Sequence, residues 1–378
     1  MSVLFVPGNS YNLKLTKKII NGKKITYKIV DISKEKDIML SQEIRNSLLK
    51  KEIKKEDLIE YKLGQENDIL SKYNCRLVIV FNDTDPIQSR FVRIAKEKNI
   101  LTLMVAEGPV LNLSTAKYRA KITLKKIIDG FRRYSIRYIF DRAAYKLINL
   151  IKKEEEPEFF RNVDKIAVWG KKSKDILVSK GIPQENIYVT GGPILNFIKK
   201  PLRRLNERIH ILVATTNLYG AGYWKKEQLL EFINIIVKTA NQCDVYITIR
   251  PHPEEDLALY KNFKNNNIII DNSSDLQKQL AENDIIISEG SNVILEAMFA
   301  GKEVFIYAPK KTYIFDILED YAKFCKTFSN EKELINLIRK YKPTTNFNPN
   351  RLKEIAVPEN GNIVRLIKRL LKSRYPNI

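Results

Sequence analysis

Short apolar runs alternate with amphipathic stretches along these 378 residues, and the alternation breaks once, at "FIKKPLRRLNER" (197–208), a basic segment interrupted by Pro201. Before the break, "VLFVPG", "KITYKIVDI" (24–32), "CRLVIVFND" (75–83), "ILTLMVAEG" (100–108), "KIAVWG" and "NIYVTGGP" (186–193) read as strands. "NSYNLKLTKKI", "PIQSRFVRIAKEKN" and "KKSKDILVSKG" read as the helices among them. After the break the pattern restarts with the strands "IHILVATT", "DVYITIRPHP", "NIIIDN", "DIIISEGS" and "EVFIYAP". "KKEQLLEFINIIVKTANQ", "DLQKQLAEN" and "NVILEAMFAG" are the helices between them. Strand, helix, strand with short joints is the mark of βαβ units and parallel sheets. The chain is also longer than one hydrophobic core usually supports. The expectation is an α/β protein with two Rossmann-like parallel-sheet domains, 1–196 and 209–355, joined by the linker 197–208. A basic helix over 356–378 is expected to pack back on the protein.

Open α/β sheets bind ligands beyond the carboxyl ends of their strands, so the residues there matter most. In "IIISEGSNVILEAMFAGKEVFIY" (285–307) a strand ends at Ser288 and a helix starts after Glu289, Gly290, Ser291 and Asn292. Ser291 or Asn292 can cap that helix, whose free N–H groups and positive dipole end suit a phosphate. Gly290 lets the backbone come close, Glu296 lies one turn on, where a carboxylate can accept a ribose hydroxyl, and Gly301 closes the helix. In "TIRPHPEED" (248–256), Arg250 is followed by His252, one of two histidines in the chain, held between Pro251 and Pro253. The prolines fix φ and present the imidazole on a stiff turn. "ATTNLYGAG" (214–222) supplies Thr215, Thr216 and Asn217 after another strand. Each segment alone also reads as ordinary structure: a capped helix, a histidine on a backbone carbonyl. Together they describe a nucleotide-phosphate pocket.

In the first half, "LMVAEGPVLN" (103–112) puts Glu107 on a turn after a strand. A carboxylate there can take a hydroxyl proton as general base, or simply accept backbone N–H bonds. Gly8 in "VPGNS" can leave room for a substrate. Asp83 and Asp85 in "FNDTDP" have the Asp-x-Asp spacing of some metal sites, and equally suit a loop entering Pro86.

"RPHPEE", followed some 35 residues later by "SEGSNVILEAMFAGKEV", resembles the nucleotide-binding half of GT-B glycosyltransferases. It is most similar to enzymes that build surface polysaccharides, namely capsule Kdo and sialic acid transferases and poly(glycerophosphate) transferases. UDP-N-acetylglucosamine 2-epimerase shares the layout. "KIAVWGKKSKDILVSKGIPQENIYVTGGP" resembles the interdomain segment of this superfamily. The resemblance implies an active site in the cleft between domains and transfer of a sugar from a nucleotide donor, with no metal and no further cofactor. It assigns His252, Ser288, Ser291 and Asn292 to donor phosphate or sugar contacts and Glu296 to the ribose. Glu107-Gly108-Pro109 resembles a Glu-Gly element that supplies the base, so Glu107 and His252 are the catalytic candidates. The His-Pro pair leans towards a CMP-linked donor and Glu296 towards a UDP-linked one. The acceptor implied is a surface glycan or lipid-linked. Glu289 interrupts the Ser-Gly-Gly run of the epimerases. Epimerisation, glycerophosphate transfer and non-catalytic nucleotide-sugar or membrane binding stay as alternatives.

A formal net charge of +22 suits an anionic partner. Residues 117–153 hold twelve Lys/Arg against Asp129 and Asp141, interleaved with aromatics at helical spacing. That basic amphipathic pattern suits an anionic membrane surface, and it suits a solvated face over a core stripe too. In "NIVRLIKRLLKSR" (362–374) the apolar positions share one face. No zinc-finger spacing or RNP-like strand argues for nucleic acid, and a Walker A motif is absent. Three scattered cysteines and two histidines make neither a disulfide framework nor a transition-metal site. With no signal peptide and no apolar run of about 20 residues, the expectation is a cytoplasmic protein, with a peripheral place on the cytoplasmic membrane face left open.

Overall fold

The computed structural model describes residues 2–110, 160–197, 208–309, 324–342 and 352–375, apart from 22, 24, 37, 221–223, 254 and 272–274. The basic segment 117–153 and nearly all of 197–208 lie outside these residues. The described residues fall into two compact units. One takes the chain up to Val110, the stretch to Asn196 and the tail from Glu354; the other is drawn from Phe197–Lys353.

The first unit is built on a seven-stranded sheet in the order β3-β2-β1-β4-β5-β6-β7. Its strands are β1 Ser2–Val6, β2 Tyr27–Asp31, β3 Leu58–Glu60, β4 Cys75–Val80, β5 Leu101–Val105, β6 Lys165–Val168 and β7 Ile187–Val189. Every pairing is parallel. Central parallel strands are covered on both faces and read as unbroken apolar runs. Leu4, Phe5 and Val6 of β1 and Leu77 to Val80 of β4 are accordingly buried. The helices start where short polar side chains cap them. Asn9 accepts from Asn12 N–H ahead of Ser10–Ile20, and Asp85 accepts from Ile87 and Gln88 N–H ahead of Pro86–Glu97.

The tail returns to this sheet. Gly192 bridges Pro358 in parallel register, and Lys172 N–H donates to Glu354 C=O at 2.8 Å. The glycines of the "VWG…VTGGP" segment make that approach possible. A Cβ on Gly170 would meet the carbonyl of Ile355, and Gly191, at φ +90°, would place one 2.6 Å from Pro358 O. Glu359 then accepts from Gly361 and Ile363 N–H and starts the helix Asn362–Arg374. That helix buries Ile363, Val364, Leu366, Ile367 and Leu370 and exposes Arg365, Lys368, Arg369 and Lys372.

The second unit has a six-stranded parallel sheet, order β10-β9-β8-β11-β12-β13. These strands are β8 Ile209–Ala214, β9 Val245–Arg250, β10 Ile268–Ile270, β11 Ile285–Ser288, β12 Glu303–Tyr307 and β13 Lys326–Phe328. The strand order reverses direction between β8 and β11, as it does between β1 and β4 in the first sheet. Loops on either side of such a reversal diverge and leave a crevice. Two three-residue strands, β3 and β13, carry no periodic signal long enough to read from sequence.

Candidate functional site

Register brings three loops of the second unit to one level. Ala214 pairs with Arg250 on one side and with Ser288 on the other, so Thr215, Pro251 and Glu289 all leave the sheet together. Thr215 N–H donates to Arg250 C=O at 3.1 Å and closes the first joint. His252 N–H lies 3.0 Å from Thr215 Oγ1 and 2.8 Å from Glu255 Oε2. The Thr215 hydroxyl donates to that same carboxylate oxygen, and Glu255 N–H returns a bond to His252 C=O at 2.8 Å. Glu255 therefore ties the proline-flanked turn to the loop after β8.

The next residue repeats the device. Thr216 Oγ1 donates to Glu289 Oε2 at 3.0 Å. Glu289 is 1% exposed, and burial, then the neighbouring charge of Glu255, pushes its carboxyl well above the usual glutamate range. Ser288, directly before it, is fully buried with no hydrogen-bond partner for Oγ. Asn217 closes the loop at φ +53°, and a Cβ on Gly220 would collide with its side chain. Gly290 takes φ +137°, a backbone that side-chain-bearing residues rarely adopt. Asn292 makes no side-chain cap. Ser291 Oγ accepts from Val293 N–H at 3.1 Å, so one helix-start donor expected for a phosphate is already used.

Arg250 and Glu296 lie on the β9 side of this edge. Arg250 Nη1 donates to Gln279 Oε1 at 2.7 Å, and Gln279 in turn reaches Asp271 O at 3.1 Å. Burial pulls the guanidinium below its usual value against the opposing charges of Asp271, Asp275 and Glu296. Glu296, 2% exposed, accepts from Gln277 Nε2 at 2.8 Å. The structure thus gathers Thr215, Thr216, Asn217, His252, Ser288, Gly290, Ser291 and Asn292 around the β8/β11 reversal. Arg250 and Glu296 form a polar wall anchored by helix Leu276–Glu282. Glu255 and Glu289 are the members sequence reasoning passed over as site residues.

The first unit places Glu107 two residues beyond β5. Asn12 Nδ2 donates to Glu107 Oε1, and Asn9 Nδ2 reaches the same oxygen at 3.4 Å. Tyr11 OH donates to Glu107 C=O at 3.1 Å, and Asn12 Oδ1 accepts from Gly8 N–H at 2.9 Å. The space beside Gly8 is filled by Gln88 and Asn12. Behind Glu107, Trp169 Nε1 donates to Ala106 C=O at 2.8 Å. Asp83 is fully buried and accepts from Phe160 N–H at 3.1 Å and Asn162 N–H at 3.0 Å. Asp85 caps the helix that follows. Among the described residues no group of three or more His, Cys, Asp or Glu is arranged to hold a metal ion, and no helix is long and apolar enough to cross a membrane.

No protein-family model and no curated protein sequence matches the chain. Solved structures match it over nearly its whole length. UDP-GlcNAc 2-epimerase from Neisseria meningitidis, bound to UDP-GlcNAc, is 15% identical with a TM-score of 0.60, covering 99% of this chain and 100% of that one. The glycotransferase of kitacinnamycin is 11% identical with a TM-score of 0.59, covering 97% and 98%. The wall teichoic acid polymerase TagF is 13% identical with a TM-score of 0.53, covering 99% and 88%. At such identities the likeness is one of fold, and that fold is GT-B, with two Rossmann-like parallel-sheet units.

Proposed function

We propose that this protein is a metal-independent glycosyltransferase, moving a sugar from a nucleotide-activated donor to a surface glycan or a lipid-linked acceptor. The observation that carries the reading is the edge at the β8/β11 reversal. Three loops converge there, a scarce histidine is pinned by its own backbone, and the hydroxyl of Ser288 is buried without a partner. A buried polar atom left unbonded is costly unless something else completes it. Structures of this fold solved with UDP-GlcNAc support a nucleotide sugar as the ligand of this edge.

His252 would contact the donor phosphate, where an imidazole and hydroxyl donors offset the charge that builds as the nucleotide leaves. Glu107, the candidate base of the first unit, would take the acceptor hydroxyl's proton while the new C–O bond forms. Asp83 and Asp85 are bonded to backbone N–H groups, which favours chemistry without a metal at that loop. The exposed basic face of helix Asn362–Arg374 supports an anionic surface as the setting for the acceptor. The fold neighbours include epimerases, so epimerisation is the second reading; it would exchange the sugar's C2 proton with deuterated solvent, and transfer would not.

Calorimetric titration with UDP and CMP, with and without their sugars, tests the proposal. Charge-assisted bonds are worth about 1.5–3 kcal/mol each, so His252→Ala should weaken nucleotide binding roughly ten- to a hundredfold. Wild-type protein that binds neither nucleotide would overturn the reading.

A further inference from the structure

The two carboxylates beneath the rim have no assigned task, yet consecutive threonines join them: Thr215 to Glu255 and Thr216 to Glu289. Glu255 Oε2 receives both the His252 N–H and the Thr215 hydroxyl, while its Oε1 is buried with no hydrogen-bond partner. Buried Tyr260 closes the same knot, its hydroxyl 3.5 Å from Thr215 Oγ1. Glu289 is enclosed on the other side. Among the described residues, the titratable groups facing it are Glu255 from the β9 loop, Tyr260, and Tyr307 at the end of β12, with Glu231 of helix Lys226–Gln242 beside Tyr307. All of these become negative when they ionise. A fully buried carboxyl among such neighbours keeps its proton, because charging it would place a second uncompensated anion in a low dielectric.

We propose that Glu255 and Glu289 are positioning residues: Glu255 fixes the direction in which His252 leaves the sheet, and Glu289, retained as the neutral acid, braces the Thr215–Thr216 loop without adding a second negative charge under the rim. The purpose of this arrangement rests on the nucleotide reading above, since an anionic phosphate would be repelled by two carboxylates and tolerates one. Neither residue touches substrate in this scheme. They act through His252 and the two threonines.

The test has two arms, and neither needs a ligand. In the first, thermal unfolding of nucleotide-free wild type and Glu289→Gln is followed from about pH 5 to pH 8. A carboxyl that binds its proton more tightly folded than unfolded lends stability that fades as pH rises above the usual glutamate value. Gln cannot ionise, so the melting temperature of Glu289→Gln should gain on wild type as pH rises. A gap that stays flat, or widens in the opposite sense, overturns the neutral acid. The second arm reads the His252 imidazole by NMR, assigned by its loss in His252→Ala; the only other histidine is His210. Glu255→Ala should shift or broaden the His252 signal, and Glu255→Gln, which can still accept both bonds on one oxygen, should leave it close to wild type. An unmoved signal in Glu255→Ala overturns the positioning role. Repeating the UDP titration adds a functional arm: about a tenfold loss for Glu255→Ala and about twofold or less for Glu255→Gln. If wild type binds no nucleotide while both ligand-free arms succeed, the proposed function fails and the carboxyl arrangement stands.

Discussion

The carboxyl edges of the two sheets are built from the same βαβ grammar but finish it differently. At the first edge, the backbone and acidic groups find partners within the chain, although Asn162 Nδ2 is buried without one. Gly8 N–H is bonded to Asn12, Glu107 to Asn12 and Asn9, Asp85 to its helix, and Asp83 to Phe160 and Asn162. At the second edge the support is as dense below the rim, where Glu255 and Glu289 hold consecutive threonines, yet Ser288 Oγ is buried without a hydrogen bond. A sheet that only needs to fold satisfies its loop ends. One that also binds must hold its rim residues in place for a ligand, and the fold pays for this with the buried network beneath.

The sharpest way to break that contrast is at Glu107, since it belongs to the satisfied edge and is still the candidate base. Glu107→Gln keeps an oxygen for the Asn9 and Asn12 amides and removes the charge. If the carboxylate is the base, transfer should slow about 10²- to 10⁴-fold while UDP or CMP affinity is unchanged. Initial-rate kinetics beside a nucleotide titration would show it. Normal turnover would make the first edge purely structural and widen the difference between the two sheets.

Asp83 comes next. Its two oxygens hold the backbone where the chain re-enters the sheet, at Phe160, whose φ of +80° is uncommon for a residue with a side chain. Asp83→Ala removes the acceptor of one buried and one part-buried N–H group, at about 1–3 kcal/mol each. The variant should therefore melt well below wild type, by about 10 °C. Activity of wild type should persist in EDTA, because these carboxylates are committed to the backbone. Wild-type activity lost in EDTA and restored by manganese, with an Asp83→Ala variant of unchanged stability that manganese does not restore, would reverse the assignment and return the Asp-x-Asp spacing to metal chemistry.

Much of this was legible in the sequence, in a graded way. Alternation of apolar runs with amphipathic stretches gives the two parallel sheets, because that period is dictated by burial of each strand on both faces. The proline-flanked histidine and the Ser-Glu-Gly-Ser-Asn turn stand out because scarce or conformationally special residues interrupt that period. Long-range pairing is what local pattern lacks. Asp83 bonds residues 77 and 79 positions away, and Glu255 meets a threonine 40 positions back. Nothing in "PEED" marks Glu255 as the acid that turns inward. Its place follows from the register of Ala214 against Arg250, which no single segment encodes.

The smallest expected effect is the most useful control, because it isolates the second edge from the sheet that carries it. His210 on β8 and His252, two residues past β9, belong to the same unit, at opposite ends of adjacent strands. His210, near the start of β8, has its ring 5.5 Å from that of Tyr246, which is 41% exposed. Its backbone N–H donates to Asp284 at 2.9 Å, a bond that any residue there can keep. Removing the imidazole forfeits only a partly solvated aromatic contact, about 0.5 kcal/mol. His210→Ala should therefore melt within about 2 °C of wild type and bind UDP or CMP with unchanged affinity. His252→Ala should show the converse, a large loss of affinity with little loss of stability, because the bonds that tie it to Thr215 and Glu255 are made by its backbone N–H. Equal losses of affinity in the two variants would mean that either histidine acts through general damage to the sheet, and the distinction between a satisfied and a ligand-ready edge would no longer hold.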